Sequence, residues 1–297
     1  MPYMILAGTY HIVGKRPDGD TVAFRPTNPD HWLKKSWLET TRNRVPATNA
    51  ASDVSLRLEA IDALETHYRA KDWLPEYRQP TKFALQARDT MLASLGISPA
   101  AIVWDGDKVV SAPDGTPGYI ATNGIDPYGR VIAFAFSGTP PTSDGNDGFE
   151  LQSEHVQSSV NFGLARQGLV YPTFYTGLYP SLRETMAAAC VAARRDGQGL
   201  WPMDASLKGV AIPNSKDLSP ITDQALVMPK LFRRLVMHLS QNGTVKSFRG
   251  FLYDNEDATI HIPKVELATL RRYVRVDERT MTVALRFPPE QFVFLPD

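Results

Sequence analysis

The sequence predicts an α+β protein: a five-stranded Greek-key barrel carrying about three helices over residues 1–205, followed by a small α+β domain over residues 206–297. Three observations predict it. The first part of the chain breaks into short apolar runs separated by Gly and Asp turns, the pattern of antiparallel strands. Segments of helical spacing, one of them with a capping signature, interrupt and follow those runs. Composition then shifts near residue 205 to a linker-like stretch, beyond which a new helix and new strand-like runs begin.

Residues 4–13 read as a strand, Gly14 to Asp20 as a turn rich in Pro, Asp and Gly, and Thr21-Val22-Ala23-Phe24 as the returning strand. Asp18 and Asp20 therefore lie at the turn end of a hairpin. Residues 25–53 read as an insertion with a short helix over 31–38, whose Trp32 and Trp37 either pack on the domain, the commoner role, or present stacking surfaces to bases. The next strand, 54–61, alternates: Leu56, Leu58 and Ala60 share one face, while Arg57, Glu59 and Ile61 share the other. That pattern sends Arg57 away from the apolar side. The strand finishes at Asp62 and Glu65, two acids at a strand-to-loop junction where side chains and backbone can converge on a cation or a phosphate.

Pro80 opens a helix in which Phe83, Ala87, Met91 and Leu95 recur at helical spacing, and Gly96 closes it. Residues 100–122 carry further strand-like runs. Asp126-Pro127-Tyr128-Gly129-Arg130 is a turn leading into an apolar strand over 131–136, which sets an arginine at the strand's mouth. Residues 138–147 lack periodicity and read as a mobile loop. A short helix over 160–168 ends at a glycine, and an aromatic connection containing Phe174 and Tyr175 follows. Ser181 and Glu184 form a capping-box pattern for a helix that buries Leu182, Met186, Ala189 and Ala193 and stops at Gly197. After the linker-like residues 205–224, Pro229 begins an amphipathic helix with Phe232, Leu235, Val236 and Leu239, and the tail from 245 alternates strand-like runs with turns.

Composition narrows the function classes. Apolar residues make up 43% and charged residues 22%, the balance of an ordinary globular chain. The single cysteine, Cys190, excludes an intrachain disulfide and reads as a buried helical thiol. No run approaches the ~20 apolar residues of a membrane helix, and the amino terminus lacks the basic region of a signal peptide, so no membrane association and a cytoplasmic location are expected. Basic and acidic residues number 32 each, with 13 basic and 10 acidic residues in 206–297, which excludes a non-specific nucleic-acid coat. Any polyanionic substrate must be held locally.

Asp20, the Arg57/Asp62/Glu65 strand and Arg130 suit one chemistry on an OB-type barrel. Phosphodiester hydrolysis needs a positioned water, neutralised phosphate oxygens and stabilised charge in the transition state. In this order Asp18-Gly-Asp20-Thr-Val, Arg57-Leu-x-x-Ile-Asp62-x-x-Glu65, Asp126-x-Tyr128-Gly-Arg130, Ala165-Arg-Gln-Gly168-Leu-Val and Gly199-Leu-Trp201 resemble the staphylococcal nucleases, or thermonucleases, across most of residues 4–203. The resemblance implies a Ca²⁺-dependent nuclease for DNA or RNA that leaves 3′-phosphate ends. It implies Asp20 and Asp62 as carboxylate ligands of Ca²⁺, the Ala63 carbonyl as a further ligand, and Asp18 as a supporting acid. Glu65 would orient or deprotonate the attacking water, and Arg57 and Arg130 would clamp the phosphate. Tyr128 would approach a terminal phosphate, and Phe174 and Tyr175 would line the base pocket.

Three positions depart from the family pattern. Leu64 replaces a stiffening proline, Pro127 replaces a lysine, and Phe174 lacks the phenol of a pocket tyrosine. The alternative reading is a non-catalytic nucleic-acid-binding or protein-interaction module. Residues 206–297 would supply a partner contact or a homo-oligomer interface.

Overall fold

Five strands close into a barrel: β1 (Met4–His11), β2 (Thr21–Pro26), β3 (Val54–Leu58), β4 (Thr116–Ile125) and β5 (Val131–Ser137). Their order is β1-β2-β3-β5-β4, with β4 returning to β1. Every pair is antiparallel except β3 with β5. The computed structural model that shows this describes residues 2–255, 259–262 and 265–295. The parts of the expected tail at 256–258, 263–264 and 296–297 lie outside the described residues.

Alternation along the strands fills the interior: Tyr10, Val22, Phe24, Leu56, Leu58, Ile120 and Phe134 are buried, while Thr21, Arg57 and Ile132 between them are partly exposed. Closure pairs every edge strand. The buried Tyr10 hydroxyl donates to the carbonyls of Tyr119 (2.8 Å) and Phe136 (2.9 Å) and so ties three strands. A Cβ at Gly118 would lie 2.4 Å from the Phe136 carbonyl oxygen and 2.5 Å from the Tyr10 ring, so only glycine permits this crossing.

By Cα packing the chain forms two compact units, Met1–Glu59 with Gln86–Leu164, and Ala60–Leu85 with Ala165–Asp297. The division does not fall at residue 205. In the first unit the 25–53 insertion forms a 3₁₀ turn, Pro29–Leu33, and a short helix, Lys35–Thr40, and the buried rings of Trp32 and Trp37 pack 4.9 Å apart. The segment read as a mobile loop is instead tied to β1. Ile5 N–H donates to the Asn146 carbonyl, Gly145 N–H to the Ile5 carbonyl, and Ala7 N–H to Asp144 Oδ1, each at 2.8 Å. Helix α1 (Thr81–Ser94) buries the predicted Phe83, Ala87 and Met91, and Leu95 just beyond its end is buried too.

The second unit holds α2 (Pro180–Arg195), α3 (Pro229–Leu239) and α4 (Phe248–Asp254). α2 buries the predicted face together with Cys190, whose thiol is pushed up by burial. The capping box at Ser181 does not form: Pro180 opens the helix and no side chain caps it. One sheet runs Phe174–Tyr175, Val293–Phe294, Thr259–Ile262, Glu266–Thr269, and another runs Val210–Ala211, Thr282–Leu285, Val274–Asp277. Residues 205–224 are therefore not a linker. They contribute a sheet strand and the buried side chains of Ser206, Ile212 and Ile221. Phe174–Tyr175 lies parallel to Val293–Phe294, which joins residues on both sides of position 205 in one sheet.

No helix among the described residues is long and apolar enough to cross a membrane.

Candidate functional site

The predicted residues fall into two groups, one in each unit. In the barrel unit, antiparallel pairing sets Thr21 opposite Arg57, and parallel pairing sets Arg57 beside Ile132. Asp20, Arg57 and Arg130 thus lie within two residues of a common row across β2, β3 and β5. Asp20 enters that row because its carbonyl accepts from Leu58 N–H (2.8 Å), which continues the ladder past the end of β2. Its carboxylate is 8% exposed and accepts from Thr21 Oγ1 at 3.0 Å, and Asp18 Oδ1 accepts from Asp20 N–H at 3.2 Å. Asp18 supports Asp20 through its backbone.

Arg130 is placed by Asp126. The buried carboxylate accepts from the backbone N–H groups of Tyr128 and Arg130 through Oδ1, both at 2.9 Å, and from Arg130 Nε through Oδ2 at 2.7 Å. Among the described residues only Nε of that guanidinium is engaged, and the group lies 5.8 Å from the centroid of Tyr128, itself 82% exposed. Gly129 makes the turn at φ +83°, with its built Cβ 3.0 Å from Ala47. Ala47 N–H donates to the Gly129 carbonyl (3.1 Å) and Arg44 donates to the Asp126 carbonyl, so the 25–53 insertion braces the Arg130 turn.

In the second unit, regular alternation ends after Leu58 because Ala60 takes φ +70°. Ile61–Asp62 then pairs antiparallel with Tyr171–Pro172, with Asp62 opposite Tyr171. Asp62 is 3% exposed. The Glu65 backbone is held by Gln79: Glu65 N–H donates to Gln79 Oε1 (3.2 Å) and Gln79 N–H to the Glu65 carbonyl (2.8 Å). Arg233 from α3 meets both acids. Its Nη1 and Nη2 donate to Asp62 Oδ1 (3.2 Å) and Oδ2 (2.7 Å), and Nη1 also donates to Glu65 Oε1. Burial disfavours the Arg233 charge, but Asp62 and Glu65 more than compensate and hold its pKa well above the ordinary value.

The aromatic pair differs from the expectation. Phe174 is fully buried and offers no ring face to a base. The Tyr175 ring lies 5.8 Å from Phe294, and its hydroxyl accepts from Lys230 Nζ at 3.3 Å. Lys230 also stands 4.0 Å from the Phe294 ring centroid, and burial lowers its pKa. Ala63 is buried.

Ca²⁺ binds about six to eight oxygen ligands. Both oxygens of Asp62 accept from Arg233, as does Glu65, and no group of three His, Cys, Asp or Glu side chains able to hold a metal occurs among the described residues. With Arg233 seated, Asp62 does not fit a calcium shell.

Arg233, Gln79 and Lys230 escaped the sequence reading, which named Asp126 in its motif but gave it no role. Asp126 carried a usable signal, an Asp four residues before an Arg across a Gly turn. Arg233 and Gln79 carried none, because their partners are remote in sequence. No family model matches the chain, and no curated protein matches it.

Proposed function

We propose that this chain is a phosphodiesterase acting on nucleic acid, DNA or RNA, on an OB-type barrel of the staphylococcal nuclease kind. The observation that carries the reading is the row of Asp20, Arg57 and Arg130 at one end of three adjacent barrel strands. A barrel with three consecutive strands, a helical crossover and a parallel β3–β5 pair supports the OB-type assignment. In this reading Arg57 and Arg130 bind the scissile phosphate, because a guanidinium donates paired N–H bonds and stays charged throughout. For Glu65 the resemblance implies the role of accepting the proton of the attacking water, which Glu65→Gln tests. The P–O5′ bond breaks and the phosphate stays on the 3′ side.

The test is incubation of purified protein with circular single-stranded DNA, linear duplex and RNA, in Ca²⁺, in Mg²⁺ and in chelator. Cleavage is expected, with Glu65→Gln reducing it by ~10²-fold or more. Undiminished cleavage by Glu65→Gln would remove the role assigned to that carboxylate. A second reading, a non-catalytic nucleic-acid-binding module, draws on the engagement of Asp62 and Glu65 by Arg233. Binding without turnover of any substrate would favour it.

A further inference from the structure

We propose that the positive charge serving Asp62 and Glu65 is the chain's own Arg233, standing in place of a divalent ion. The proposal rests on the phosphodiesterase reading for what the charge serves, but on the second unit's own geometry for its existence. A calcium ion at these carboxylates needs their lone pairs, and the guanidinium already occupies both oxygens of Asp62 and one of Glu65. The planar fork matches Asp62 in a bidentate arrangement that an ammonium cannot reproduce.

Two separate bridges bring Arg233 to its place. Tyr171, the register partner of Asp62, donates its hydroxyl to Asp204 Oδ1 at 2.7 Å. Ser206 Oγ donates to the same oxygen at 2.6 Å and accepts from Met228 N–H at 2.8 Å, directly before α3. On the other side the fully buried Gln79, which holds the Glu65 backbone, donates Nε2 to the Val227 carbonyl at 2.8 Å. Both acids are thereby linked to the start of α3, and Arg233 lies just over one turn along it. Each bridge uses buried side chains, so the contact is built into the unit.

Binding of Ca²⁺ and catalysis are read separately. The full-length protein is titrated with Ca²⁺ by calorimetry and melted in EDTA and in Ca²⁺, as wild type, Arg233→Gln and the Asp62→Asn/Arg233→Gln double variant. Expected results are no Ca²⁺ uptake and the same melting temperature in both buffers for wild type. Arg233→Gln should melt lower in EDTA and gain stoichiometric Ca²⁺ uptake that the wild type lacks. The double variant should lose that gain. Stoichiometric, Asp62-dependent Ca²⁺ uptake by wild type overturns the proposal, as does an Arg233→Gln protein that folds and gains no affinity. Should Arg233→Gln fail to fold, Arg233→Lys keeps the charge without the fork, and the wild-type titration still decides. Absence of turnover on every substrate would remove the phosphodiesterase reading while the titrations judged Arg233 alone.

Discussion

At the residue scale, single carboxylates organise this protein by collecting donors. Asp126 shapes the Arg130 turn, Asp62 receives Arg233, and Asp53 fixes the start of β3. Asp53 accepts from Arg25 Nε (2.9 Å) and Asn49 Nδ2 (2.8 Å), with Lys15 Nζ at 3.5 Å. Burial opposes its ionisation, but these hydrogen bonds and charges outweigh burial and hold its pKa below the ordinary carboxylate value. A depressed pKa contributes stability that is fully present above the unfolded-state value of about 3.9 and is lost as pH falls through the folded value. Asp53→Asn is therefore expected to cost about 1.5–3 kcal/mol at neutral pH, the range for hydrogen bonds to charged groups. The cost should shrink below pH ~4, where the wild type also loses the charge. Urea unfolding midpoints measured across pH check both statements, and a pH-independent difference would count against them.

At the element scale, α3 matters for where it starts as much as for what it buries. Its apolar face, Leu231, Phe232, Leu235, Val236 and Leu239, is buried, as the spacing predicted, while Arg233 lies off that face and turns to Asp62. The start of the helix is set by Ser206, which is fully buried and bonds both Asp204 and Met228 N–H. Ser206→Ala leaves that N–H without its acceptor, at an expected cost of about 1–3 kcal/mol. It should also weaken the Arg233 contact, seen as faster amide hydrogen exchange over 228–234. Unchanged exchange there would show that Ser206 does not set the helix position.

At the scale of the whole molecule, the second unit takes its core from two separate stretches of the chain, 60–85 and 165–297. Phe174–Tyr175 pairs with Val293–Phe294, Gln79 bonds Val227, and Asp62 bonds Arg233. A chain cut at residue 205 removes one side of each contact and exposes the buried partners of the other. Residues 1–205 alone are expected to lack a cooperative melt for the second unit and to be cleaved by protease within 60–85 and 165–205. A monomeric, protease-resistant fragment with a cooperative transition would restore the boundary that composition suggested.

The sequence by itself determined strands β1, β2, β3 and β5, the inward face of β3, α1, the buried face of α2 and the apolar face of α3, because each rests on a periodicity within about 15 residues. It also determined that Asp20 and Arg130 stand beside strand ends, since turn residues mark those ends locally; Arg57 it placed inside a strand running to Ile61, whereas that strand ends at Leu58. Only the tertiary structure decided that 138–147 is anchored to β1, that 205–224 is core, that Phe174 is buried, and that Arg233 meets Asp62 and Glu65. The physical reason is the same in each case. Backbone pairing to a distant strand and a charge pair between residues 62 and 233 depend on which surfaces the closed fold brings together, and no local pattern of apolar and polar residues encodes that partner.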